Sequence, residues 1–183
     1  ASEASCPVRV VDSGHVTVSE RILVEYALGL AKEGLDAEEI AARVEAVRER
    51  VVVIGLLDTL EYLRRGGRIS AAAGTFGEML SIKPVITIEN GEVKMLGRAR
   101  GSKNGRNLLN QQIKASRGID FSMPLALGYA GLSDALLQKY IRDSRALWEE
   151  YPSDELPVYT VGATIGTHVG PGAIALAYFE REQ

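Results

Sequence analysis

Residues 84–96 read PVITIENGEVKML, two alternating runs of apolar and polar residues with Asn90 and Gly91 between them. An Asn-Gly pair readily takes the left-handed backbone of a two-residue turn, and the twist of that turn matches the twist of the strands on either side. The stretch therefore predicts an antiparallel hairpin. A chain with such a hairpin cannot fold as an all-parallel sheet, however its other segments are arranged.

Those other segments alternate strand and helix. VRVVD (8–12) is a short apolar run with β-branched residues and reads as a buried strand. In TVSE, Thr17 and Glu20 spell a capping box. The helix behind it places Ile22, Leu23, Tyr26, Ala27 and Leu30 on one stripe and stops at Gly34. Asp36 and Glu39 repeat the device, with Ile40, Val44 and Val47 as the inner face of a second helix. VVVIGLL (51–57) is a continuous apolar strand of the kind covered on both faces.

After the hairpin, a helix over about 102–117 ends at Gly118, followed by a strand at PLALGYA and a helix capped by Ser133. That helix carries Leu136, Leu137, Tyr140, Ile141, Ser144, Leu147, Trp148 and Tyr151 at steps of three and four, so the stripe with Trp148 is core and not a cofactor box. Strands at PVYTVGA and AIALAYF complete the pattern. A hairpin combined with βαβ units predicts an α/β fold with a mixed sheet and helices packed on it.

Residues 1–50 stand apart in this scheme. One parallel-type strand and two helices leave the strand's backbone groups unpaired. These residues are expected to be the last strand and helices of an incomplete N-terminal α/β domain, with 51–183 forming the C-terminal domain. The alternative is that the strand joins the C-terminal sheet.

Composition narrows the function. The 183 residues are 46% hydrophobic and 25% charged, with a net charge of −3, which gives no general attraction to nucleic acid. No apolar run approaches the roughly 18 residues of a membrane span, and no signal peptide is read. A single cysteine, Cys6, excludes an internal disulfide framework, and nothing around it would activate a thiolate. A cytoplasmic protein is expected. Two histidines and no cysteine pair argue against a metal site.

Three stretches carry candidate chemistry. In DTLEYLRRGGRIS (58–70), Asp58 and Glu61 can box a short helix that Gly66 and Gly67 terminate, delivering Arg68 just past the turn. Arg68 is either one of several solvated arginines at a helix end or a guanidinium aimed at a carboxylate or phosphate. From Val93 to Ile119 there is no acidic residue, whereas Lys94, Arg98, Arg100, Lys103, Arg106, Lys114 and Arg117 are basic. That run is a solvated face, a phosphate contact or a dock for an acidic surface, and without interleaved aromatics it is a poor match to single-stranded nucleic acid. In IGTHVGPGAI (165–174), the bare backbone at Gly166, Gly170 and Gly172 permits close approach of a ligand and a nest of free amides. Thr167 adds a hydroxyl and His168 a donor; the plainer alternative is a structural or solvated histidine. His15, in SGHVT, has no such frame and reads as surface.

Taken in order, LEYLRRGGRIS, LSIKPVITIENGEV with GRARGSK after it, and IGTHVGPGAIALAY resemble the DegV family across 58–179, and VRVVDSGHVTVSERILVEYALGLAKEGLDAEEI resembles that family's middle region. The resemblance implies a bacterial protein that binds a long-chain fatty acid as the non-enzymatic subunit of a two-component fatty acid kinase. An ATP-dependent partner then phosphorylates the carboxylate to an acyl phosphate for phospholipid synthesis. It implies that His168 donates to the carboxylate, with Arg68, Thr167, Gly166 and Gly170 around it. Arg98, Arg100 and Lys103 become a docking surface for the kinase, and no cofactor is implied. It also implies that the family's aspartate-serine opening motif and two hydroxyl-bearing loops lie outside this sequence, so weaker binding by the 183-residue chain is expected. A hydrolase or transferase with His168 as general base, and a regulatory interaction module, are the competing classes.

Overall fold

The computed structural model describes residues 4–69 and 82–182. A six-stranded sheet runs through it in the order β3-β2-β1-β6-β4-β5. The strands are β1 (Val51–Leu56), β2 (Ile82–Glu89), β3 (Glu92–Arg100), β4 (Ala126–Tyr129), β5 (Val158–Thr160) and β6 (Ile174–Phe179). The sheet is mixed, as expected: β4 and β5 are parallel and every other pairing is antiparallel. The β2–β3 hairpin turns at Asn90 and Gly91 with φ of 52° and 75°, the double left-handed turn that its sequence predicts.

β1 is central, buried along nearly its whole length and paired on both edges. Its alternating side chains feed two cores. Ile54 and Leu56 face α4 (Gly101–Ala115) and α5 (Ala135–Asp143), packing with Leu109, Ile113, Leu127, Leu137 and Tyr140. Val51 and Val53 face the opposite way, with Phe179 and Ala177, toward Val18, Ile22 and Leu23 of α1 (Thr17–Lys32) and Val44 of α2 (Ala37–Val47). A third cluster, Leu57, Leu63, Ile86, Ala130 and Ala173, lies under α3 (Glu61–Arg65). The stripe around Trp148 is core: α5 ends at Asp143, a 3-10 turn at Arg145–Leu147 follows, and Trp148 meets Tyr140 edge-on at 6.1 Å.

Several local expectations are corrected. Residues 8–12 form no strand, and Val10 is 83% exposed. Only Val11 packs inward, against the α1–α2 core, and the run pairs with no strand of the sheet. The N-cap of α1 is Val16, not Thr17. Ser19, in place of Glu20, closes the turn: its Oγ accepts from the Val16 amide and donates to the Val16 carbonyl. Asp36 and Glu39 form the expected box, the Asp36 carboxylate accepting from the amides of Glu38 and Glu39. Asp58 does not cap α3; its carboxylate pairs with Lys83 on β2, and the Thr59 hydroxyl accepts from the Glu61 amide instead. The Ser133 hydroxyl accepts from Ala135 while Asp134 takes the N-cap position of α5. Among the described residues, no helix is long and apolar enough to cross a membrane.

Candidate ligand-binding site

The histidine stretch folds as a helix, α6 (Ala163–Val169), and not as the bare loop its glycines predict. The amides that could have made an anion nest are spent in that helix: Gly166 donates to the Gly162 carbonyl, and Gly170 donates to the Gly166 carbonyl. The Thr167 hydroxyl donates to the Thr164 carbonyl at 2.9 Å on an exposed flank. Glycine is needed at Gly170 for another reason. Its φ is 77°, and a β-carbon there would stand 2.2 Å from the Tyr62 ring of α3. His168 occupies the last turn of α6, half-buried, with Nδ1 buried and unpartnered.

α3 and α6 lock together through a second glycine. A β-carbon on Gly66 would lie 2.1 Å from His168 Nδ1. Thus Tyr62 of α3 fits over Gly170, and His168 of α6 fits over Gly66. Arg68 leaves the same turn, exposed, with its Nη1 donating to the Gly66 carbonyl at 2.8 Å. The two residues proposed from sequence as donors are therefore brought to one place.

Both line a cavity of about 1140 Å³ over the sheet. Val53 and Gly55 of β1, Ile86 and Ile88 of β2, Val93 of β3 and Ala175 of β6 give it apolar walls. Thr164, Ile165, His168 and Val169 line it from α6, whereas Gly166, Thr167 and Gly170 do not. Residues 12–17 close another part of the wall, and with them comes His15. That residue is half-buried and not a surface histidine. Its Nε2 lies 3.0 Å from the Arg48 carbonyl; since a carbonyl only accepts, Nε2 carries the proton. Its partner, Arg48, lies far along the chain, so no local signal marked the contact. Tyr178 also lines the cavity; burial pushes its hydroxyl pKa up to about 12, only partly offset by the Ser116 hydroxyl at 3.0 Å, so it stays neutral.

The basic run divides. Arg106 is buried against Asp143 at 2.9 Å and so lies outside any open patch, whereas Lys94 stays exposed and pairs with Glu92. Arg98, Arg100 and Lys103 are exposed, on the edge strand β3 and the first turn of α4. Among the described residues, no three His, Cys, Asp or Glu side chains gather in a way that would hold a metal.

A mixed sheet with α3 and α6 interlocked beside a strand-lined cavity defines an α/β protein. Over residues 1–181 the sequence matches the family model described as "Uncharacterised protein, DegV family". The chain belongs to the DegV family. It is 33% identical over 175 residues to a DegV domain-containing protein of Caldanaerobacter subterraneus, covering 95% of this chain and 61% of that relative. It thus spans about three-fifths of the relative's length. Among solved structures, it is similar to a DegV family protein from Thermus thermophilus described for its fatty acid binding, at TM-score 0.79 and 30% identity over 97% of this chain and 62% of that one. The fold is shared with the Streptococcus pneumoniae fatty acid kinase (Fak) B3 protein loaded with linoleic acid, at TM-score 0.80 and 22% identity over 96% of this chain and 60% of that one.

Proposed function

We propose that the protein binds a long-chain fatty acid and presents its carboxylate to an ATP-dependent partner kinase for acyl phosphate formation. The observation that carries this reading is a single cavity with strand-lined apolar walls, at which the donors His168 and Arg68 converge. Its strand-lined apolar walls suit a hydrocarbon chain. Each buried methylene contributes about 0.8 kcal/mol, so the tail supplies affinity without polar contacts. The carboxylate loses hydration on entry, and His168 with Arg68 offsets that loss.

The fatty-acid-binding relative from Thermus thermophilus supports the ligand class, and the fatty acid kinase B3 protein supports the pairing with a kinase. In this reading the chain is the binding subunit, not the enzyme, and works in the cytoplasm without a cofactor. In this reading residues 1–50 are the last part of an N-terminal α/β domain, with its helices α1 and α2 packed directly on the sheet, and 51–183 form the fatty-acid-binding domain. Gly166, Thr167 and Gly170 hold α6 in place beside the head group. Arg98, Arg100 and Lys103 form the surface that meets the kinase.

Solvent extraction of the purified protein, followed by mass spectrometry, tests the reading. A bound fatty acid is expected, in less than stoichiometric amount given the weaker binding expected of the 183-residue chain. An empty protein that turns over an ester or acyl donor without any partner would instead make His168 a general base.

A further inference from the structure

Arg68 and His168 come from distant stretches of the chain, yet both rest on Gly66. The Gly66 carbonyl accepts from Arg68, and its α-carbon lies against the imidazole so closely that any β-carbon would meet Nδ1 at 2.1 Å and Cε1 at 2.8 Å. The backbone does not demand glycine here: φ of −79° and ψ of −2° suit any residue. The neighbouring Gly67, at φ 67°, is the one that needs glycine to end α3. What Gly66 supplies is space.

We infer that Gly66 is a positioning residue for the head-group donors, the seat on which the His168 ring is held with Nε2 turned to the ligand. This rests on the reading of the cavity as a fatty-acid site. Nδ1 is buried and faces no acceptor, so a proton placed there would be a stranded donor. In this proposal the neutral ring carries its proton on Nε2 and offers it to the ligand, while Nδ1 stays enclosed against Gly66. A side chain at position 66 pushes the ring off this seat and disturbs the carbonyl that fixes Arg68.

A double-mutant cycle on the full 183-residue chain separates this role from simple helix termination. The variants are Gly66→Ala, His168→Ala and the two combined, with hexadecanoic acid as the probe, read by isothermal titration and by thermal unfolding. Gly66→Ala should weaken hexadecanoic acid binding roughly tenfold or more and lower the melting temperature. In the His168→Ala background, where the ring is gone, the same change should leave both quantities unaltered. Long-range proton–nitrogen spectra at a pH where the ring is neutral should show the His168 proton on Nε2 in the wild type, and the resonance should move in Gly66→Ala. If Gly66→Ala alone fails to fold and the combined variant folds, the seat is supported; failure of both overturns it. Wild-type affinity in Gly66→Ala, an equal loss in both backgrounds, or a proton on Nδ1 also overturns it. If the wild type does not bind hexadecanoic acid at all, the fatty-acid reading fails. The melting cycle then still decides whether Gly66 seats His168.

Discussion

Arg50 ties the start of β1 to the end of the chain. Its guanidinium donates to the Asp120 carboxylate at 2.8 Å, to Glu182, and to the Glu180 carbonyl. Burial alone would raise the Asp120 pKa, but hydrogen bonds from the Ser122 hydroxyl and amide, and then the Arg50 guanidinium, hold it below the usual carboxylate range. A depressed carboxylate contributes stability that is fully present above its unfolded value, near pH 3.9, and is lost as pH falls through the folded value. Asp120→Asn is expected to cost about 1 kcal/mol at neutral pH and to flatten the loss of stability below about pH 4. Urea midpoints for the two proteins across that range check it; parallel curves would mean Asp120 is not held by these partners.

At the scale of elements, β3 is both a sheet edge and the proposed meeting surface for the kinase. Basic side chains on an edge also keep it from pairing with another sheet, so the two roles must be told apart. Replacing Arg98 and Arg100 by alanine should leave hexadecanoic acid binding unchanged and slow phosphorylation by the kinase. If binding falls equally, the pair serves the ligand; if the variant instead self-associates, edge protection was its task. The hairpin itself depends on Gly91 at φ 75°, and Gly91→Ala should lower stability by about 1–2 kcal/mol in chemical denaturation.

Elements of this kind were legible because their causes are local. The Asn90–Gly91 turn, the Asp36–Glu39 box and the stripe through Tyr140 and Trp148 each follow from neighbours within a few residues. Other elements depend on partners far along the chain. VRVVD has strand-forming residues but no strand beside it to pair with. The stretch ATIGTHV has poor helix formers, yet α6 forms because Gly66 and Gly170 let it dock on α3. Arg106 looks like surface charge until Asp143 arrives from α5. Of the residues lining the cavity, Arg68 and His168 were legible as candidates from sequence, whereas His15 and the close packing of Gly66 against His168 were not. Their contacts join residues that no periodicity links.

For the whole molecule, the central claim is that the cavity holds an acyl chain with its carboxylate at His168. The tail and head contribute separately: apolar burial scales with chain length, and the donor contributes about 1.5–3 kcal/mol only where a charged group meets it. The most direct measurement is a titration of the delipidated protein and its His168→Ala variant with hexadecanoic acid and with hexadecanol. The wild type should bind the acid well and the alcohol poorly. His168→Ala should lose roughly ten- to a hundredfold for the acid and little for the alcohol. The same proportional loss for both ligands would place His168 along the tail and contradict the account.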